Sequence, residues 1–168
     1  MLLAGAGAAL WPLLGGADEH AGADAAKELP AGLLEESGFV YISPLLSDGS
    51  ESTCHGEVWY GWVDGAVVIN TAPSTWKSRA WRRGLRRARI WVGDHGRWKR
   101  LLGRNEAFRR APSFEAEVER VEGDAELLER LLALYEKKYP EEIASWRDEM
   151  RTGYITGARW LLRYRPVS

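Results

Sequence analysis

Apolar residues in this chain recur at two periods. Short β-branched and aromatic runs fill residues 38–71 and return at 88–92, 114–121 and 158–164, whereas leucines at helical spacing fill 125–138. Gly38–Ser43 reads as a strand by β-propensity and stops at Pro44. Ser47-Asp48-Gly49-Ser50 is a turn cluster. Glu57–Val63 is the next strand, and Asp64-Gly65 is a hairpin signal leading into a strand over Ala66–Thr71. Ser74–Leu85 reads as a helix with Ser74 or Thr75 as its N-cap. Ala88–Val92 is a strand, Gly93–Gly96 a turn and Arg97–Leu102 another strand. Phe114–Val121 alternates as a half-exposed strand should, with Glu115, Glu117 and Glu119 on one solvated edge. Gly123-Asp124 introduces a helix over Ala125–Lys138, whose apolar face holds Leu127, Leu128, Leu131, Leu132 and Leu134. Pro140 breaks it. Glu141–Met150 is a further short helix, and Ala158–Tyr164 a last strand ended by Arg165-Pro166.

Six or seven strands joined mostly by hairpins, with two or three helices inserted, do not alternate as a doubly wound parallel sheet would. The pattern predicts a mainly β protein: a small antiparallel barrel with helical insertions. Its 168 residues are expected to form one barrel domain over 35–168, preceded by an extension over 1–34 that ends at Pro30 and Gly32. Residues 1–16 are apolar and small, but no Lys or Arg precedes them, and they are too short and Gly-rich for a membrane span. Two readings stand. One is a packing helix on a cytoplasmic protein; the other is the remnant of an export signal.

Composition adds one anomaly. Net charge is −1 and 45% of residues are hydrophobic, as in an ordinary folded domain, but there are nine tryptophans. Such large amphipathic rings suit a core, a subunit interface or a flat aromatic ligand. The single cysteine, Cys54, excludes an intrachain disulfide and a cysteine metal site. Neither His20 nor His95 is placed to be a metal ligand, and no metal site is expected.

The candidate chemistry lies at the junction Val67–Lys77, where a β-branched run meets Asn70, Thr71, Ser74, Trp76 and Lys77. Thr71 and Ser74 offer hydroxyl donors, the helix start offers unpaired N–H groups, and Lys77 offers a point charge. That set suits a phosphate; it equally describes an ordinary capped helix with a basic face. Lys77 to Arg89 carries seven Lys/Arg and no acid, interleaved with Trp76 and Trp81, which also suits nucleic acid. Segment 113–150 opposes it with twelve Asp/Glu against five Lys/Arg, so nucleic-acid binding ranks below a cofactor. No HExxH, GxSxG, GxxxxGK[ST] or GxGxxG is present, and no catalytic residue is assigned. A chain without acid–base machinery suits a cofactor that performs the chemistry.

The order Val58-Trp59-Tyr60, Asp64-Gly65, Ile69-Asn70-Thr71, Trp76-Lys77, Arg89-Ile90-Trp91-Val92, Trp98-Lys99 and Arg163-Tyr164-Arg165-Pro166 resembles the pyridoxamine 5′-phosphate oxidase-like family, which includes the deazaflavin (F420)-dependent reductases. The resemblance runs from about Glu35 to the C-terminus. It implies an FMN-binding split barrel and a homodimer with the cofactor at the subunit interface. It places His55, Glu57, Val58, Trp59 and Tyr60 beside the isoalloxazine ring. It puts Thr71 and Lys77 on the FMN phosphate with Asn70, Ser74 and Trp76 nearby, and Lys99 or a neighbour at the partner's ring. It implies an oxidoreductase acting on a small molecule, with F420 or haem binding, or flavin binding without turnover, as alternatives. Trp76 stands where the oxidase has an Arg, and Arg163-Tyr164-Arg165 lacks the oxidase's substrate-binding His, so the resemblance implies a different substrate.

Overall fold

The structure, a computed structural model, describes residues 29–95 and 106–167. The extension up to residue 28, the predicted strand Arg97–Leu102 and Lys99 lie outside the described residues. Seven strands form one antiparallel sheet: β1 (Phe39–Pro44), β2 (Gly56–Trp59), β3 (Gly61–Val63), β4 (Ala66–Thr71), β5 (Arg87–Val92), β6 (Ser113–Val121) and β7 (Trp160–Pro166). Among the described residues four α-helices accompany them: α1 (Ala31–Glu36), α2 (Trp76–Arg82), α3 (Ala125–Lys138) and α4 (Pro140–Ile155). Among the described residues no helix is long and apolar enough to cross a membrane.

The strand order is β2-β1-β5-β6-β7-β4-β3. Its two edges, β2 and β3, are consecutive in the chain with only Tyr60 between them, so the sheet curls until its edges almost meet. The continuous strand expected over Glu57–Val63 is therefore two strands on opposite edges. β2 pairs with β1 (Phe39 opposite Trp59, Tyr41 opposite Glu57), and β3 pairs with β4 (Gly61 opposite Val68). The neighbour at the break is distant in the chain: α3 packs against it, and a Cβ at Gly61 would sit 2.7 Å from a Leu131 methyl.

Alternation along each strand sorts side chains into distinct cores. Val40, Ile42, Val67, Ile69, Ile90, Val118 and Leu162 fill the barrel with Leu34 of α1. On the outside, Val63, Val68, Val121 and Leu161 meet the leucine face of α3, and Ile143 and Met150 of α4 close that layer. A small aromatic cluster of Tyr41, Trp91 and Phe108 covers β1 and β5, with Phe108 carried on a 3-10 turn at Ala107–Arg110.

Two helix boundaries differ from expectation. α2 begins at Trp76, because Thr75 caps it by accepting from Ser78 N–H at 3.4 Å, and it ends at Arg82 before Gly84 turns the chain at φ 87°. α4 begins at Pro140 and runs to Ile155. Proline at the first helical position lacks only an N–H that would be unpaired anyway, so it starts this helix as well as ending α3. β6 is not an edge. It lies between β5 and β7, where Glu115 pairs with Arg87 and Arg89, and Glu119 with Arg163 and Arg165. The basic run thus spends Arg87 and Arg89 on cross-strand pairs.

Where the sheet is split, strand-to-strand hydrogen bonding is lost, and buried backbone groups need other partners. Two phenols of α3 and its C-cap supply them. Tyr60 N–H donates to the Tyr139 hydroxyl at 3.3 Å, and that hydroxyl donates to Gly38 C=O. Asn70 N–H donates to the Tyr135 hydroxyl at 3.4 Å, which donates to Trp59 C=O at 3.1 Å. Lys138 adds a third tie. Its Nζ donates to Ser37 C=O at 2.7 Å and Leu34 C=O at 3.3 Å, beneath the Tyr60 ring.

Burial lowers the Lys138 ammonium from its ordinary value to about 8. From there up to the ordinary lysine range the unfolded chain holds one more proton than the native chain, so stability rises with pH. Burial also holds Tyr60, Tyr135, Tyr139 and Tyr164 protonated above their ordinary value, so stability falls once unfolded phenols ionise near about pH 10. Urea midpoints are expected to climb from about pH 8 to about pH 10 and drop beyond, and Lys138→Met is expected to flatten the climb. A variant with the parent's pH profile would remove Lys138 as the cause.

Candidate functional site

A cavity of about 340 Å³ opens beside the split. Three elements of the barrel bring predicted residues to it: β2 supplies Glu57, Val58 and Trp59, β4 supplies Asn70, and the first turn of α2 supplies Lys77. Lys77 reaches this wall because Thr75 fixes the helix start, and its Nζ lies 4.8 Å from the Trp76 ring centre. Glu57 is held by its cross-strand neighbour: the Tyr41 hydroxyl donates to Oε2 at 2.6 Å. Burial, and then the Glu57 carboxylate, keep that phenol protonated well above its ordinary range. Tyr41 is itself fixed by lying flat on Phe108, ring centres 4.5 Å apart. Trp59 stacks on Tyr139 at 4.3 Å, so its indole is a fixed wall.

Asn70 is the exceptional group. Its backbone N–H is satisfied by Tyr135, yet both polar atoms of its side-chain amide are buried without a hydrogen-bond partner. Such a group costs stability unless something that enters the cavity pairs with it.

The other predicted residues lie elsewhere. Thr71 is buried, its hydroxyl 2.9 Å from that of Thr75, which contacts Ser78 in turn. It therefore braces the helix start and does not line the cavity. Ser74 is exposed, with its carbonyl accepting from Arg79. Trp76 packs over Gly56, where a Cβ would lie 3.4 Å from the indole. His55 faces Phe108 and lies 3.7 Å from Glu106, away from the cavity walls. Tyr60 is fully buried, its hydroxyl donating to Leu34 C=O at 2.6 Å.

The inserted helices close the cavity with Tyr135, Trp146 and Met150, and the turn between α4 and β7 adds Arg159, none of which the sequence singles out. Arg159 pairs with Glu149 at 2.5 Å, and its guanidinium lies 5.7 Å from the Trp146 ring centre. Its stem crosses α4 at Gly153, where a Cβ would fall 2.4 Å from Arg159 Cγ. A glycine inside a helix costs about 1 kcal/mol relative to alanine, and this one marks a close approach. That helical glycine is the signal by which Arg159 could have been found. Trp146 remains 44% exposed at the mouth.

No protein-family model matches the chain, and no curated protein matches it. Solved structures do. HutZ, a haem storage protein from Vibrio cholerae, superposes with a TM-score of 0.56 at 16% identity, over 82% of this chain and 87% of its own. The conserved hypothetical protein Rv2991 from Mycobacterium tuberculosis gives 0.55 at 21% identity, over 82% and 78%. An FAD-binding protein from Mesorhizobium loti gives 0.51 at 14% identity, over 82% and 87%. At these identities the likeness is one of fold, and the chain has the split-barrel fold of the pyridoxamine 5′-phosphate oxidase-like proteins.

Proposed function

We propose that the cavity between β2, β4 and α4 takes a flavin-type cofactor, FMN in the first instance, and that the protein is an oxidoreductase acting on a small molecule. The observation that carries this reading is the Asn70 amide, buried and unpartnered on the wall that Lys77 also lines. A flavin ring edge alternates N–H and C=O groups, which an amide pairs with in both senses. Lys77 offers the charge that a terminal phosphate requires. Trp59 and Phe39 give the ring apolar surface, while Trp146 and Met150 cover the opening and exclude water. Thr71 and Thr75 act through their hydroxyls, which hold the turn from which Lys77 projects. Glu57, aligned by Tyr41, presents a hydrogen-bond acceptor to whatever occupies the cavity. When bound, FMN would supply hydride transfer through N5, and the chain's task is to bind, orient and shield it.

The neighbours named above include a haem storage protein and an FAD-binding protein, so the cofactor is the point to test. The protein should be purified, its visible spectrum recorded, any released cofactor identified by mass, and its oligomeric state measured by light scattering. The expected result is a yellow protein that releases or takes up FMN and runs as a homodimer with the cavity at the interface. A Soret band would replace FMN with haem, and release of F420 would replace it with the deazaflavin. A colourless protein that takes up none of them overturns the reading.

A further inference from the structure

A second cavity, of about 550 Å³, lies where the β6–α3 turn, the end of α4 and the start of β7 converge. It shares Arg159 with the first, and nothing in the cofactor reading uses it. We infer that this second cavity binds a monoanionic carboxylate with a flat apolar body, its carboxylate on Arg120 and its body against Trp160 and Ile155.

The floor is apolar, because Val121, Leu128 and Trp160 are all buried. At its rim Ile155 is 76% exposed, the most exposed large apolar side chain among the described residues. Burying such a side chain against a flat ligand removes apolar surface from water on both partners. Trp160 is flanked by two guanidiniums, Arg120 at 4.0 Å and Arg82 at 5.5 Å from its ring centre. Arg82 makes no ion pair among the described residues. Arg120 pairs with Glu122 at 2.8 Å, but the Glu122 side chain is 68% exposed. An exposed pair of this kind is weak, and a ligand carboxylate can replace Glu122 on the guanidinium fork. Arg151, by contrast, is held by Glu129 through two bonds of 2.6 and 2.7 Å, and Arg159 by Glu149.

The charge count selects the ligand. Arg151 is neutralised by Glu129 and Arg159 by Glu149, so of the three arginines lining the cavity only Arg120 has a charge that a ligand can claim, by displacing the exposed Glu122. The last carbonyls of α4 reach the same rim, at Ile155 and Thr156, and they repel added negative charge. A single carboxylate is matched; a phosphate dianion is not.

The test is calorimetric titration of the full-length protein with naphthoate and with the neutral naphthalenemethanol. Saturable single-site binding of naphthoate is expected, about tenfold tighter than the alcohol. Arg120→Gln is expected to weaken it about tenfold, with the melting temperature followed as a control. Glu122→Gln is expected to tighten binding, because the competing carboxylate is gone; damage to the fold would not produce a gain. Lys77→Ala is expected to leave naphthoate affinity unchanged, which separates this site from the cofactor cavity. The inference is overturned if naphthoate shows no saturable binding at millimolar concentration, or if the alcohol binds equally well. It is overturned too if affinity falls in Lys77→Ala while Arg120→Gln and Glu122→Gln leave it untouched.

Discussion

Tyr139→Ala is expected to lower the unfolding free energy by about 3–5 kcal/mol, the cost of deleting a buried aromatic ring. The ring is 5% exposed and stacks on Trp59. Its hydroxyl serves two backbone groups at the split, accepting from Tyr60 N–H and donating to Gly38 C=O. Tyr139→Phe isolates the second contribution. It keeps the ring and strands one donor and one acceptor in the interior, at about 1–3 kcal/mol. Urea unfolding followed by tryptophan fluorescence measures both, read from the midpoint at constant slope. If the phenylalanine variant is as stable as the parent, water and not the phenol satisfies the split. The reason for expecting otherwise is geometric: a barrel cut open along one seam must find hydrogen bonds there, and α3 is laid across the seam to give them.

Asn70→Leu combined with Lys77→Ala is expected to weaken FMN binding at least about a hundredfold. Each loss contributes about tenfold or more, since a charged phosphate contact is worth about 1.5–3 kcal/mol and a stranded buried polar group about 1–3. The free protein is expected to move the other way. In Asn70→Leu a buried unpartnered amide becomes an apolar side chain of similar size, so the unfolding midpoint without ligand should rise or stay level. Opposite signs for affinity and stability are what a ligand-facing residue produces. A structural residue would lose both. Fluorescence quenching of titrated FMN gives the affinity, and thermal melts of ligand-free protein give the stability. Asn70→Leu with unchanged FMN affinity would leave the amide without a functional account.

Much of the barrel is legible in the amino-acid sequence. The Asp64-Gly65 hairpin, the alternation over Phe114–Val121 and the leucine face of 125–138 are all local patterns, and each became the element it predicts. What escaped were features set by neighbours distant in the chain. Glu57–Val63 has one uninterrupted β-pattern, and only Leu131, brought across from α3, divides it at Gly61. Glu115, Glu117 and Glu119 look like the solvent face of an edge, and only the arginines of β5 and β7 show that the strand is central.

The site divides in the same way. Asn70 and Lys77 could be named from the junction, because the end of a strand and the first turn of the next helix stay close however the rest folds. Thr71 belongs to the same junction, but which way its hydroxyl turns depends on a competing partner, and Thr75 is that partner. Tyr135, Trp146 and Met150 reach the cavity from inserted helices whose own periodicity records only which face is buried, and Arg159 reaches it from the turn that follows them. By itself, then, the sequence determined a small antiparallel barrel with helical insertions and a polar strand-to-helix junction, because both follow from contacts within a few residues. Only the tertiary structure decided that the barrel opens at Tyr60, that two tyrosines seal the opening, and that the junction faces a cavity. Those are outcomes of long-range packing, in which buried polar groups find partners far away in the chain or, like the Asn70 amide, are left without one.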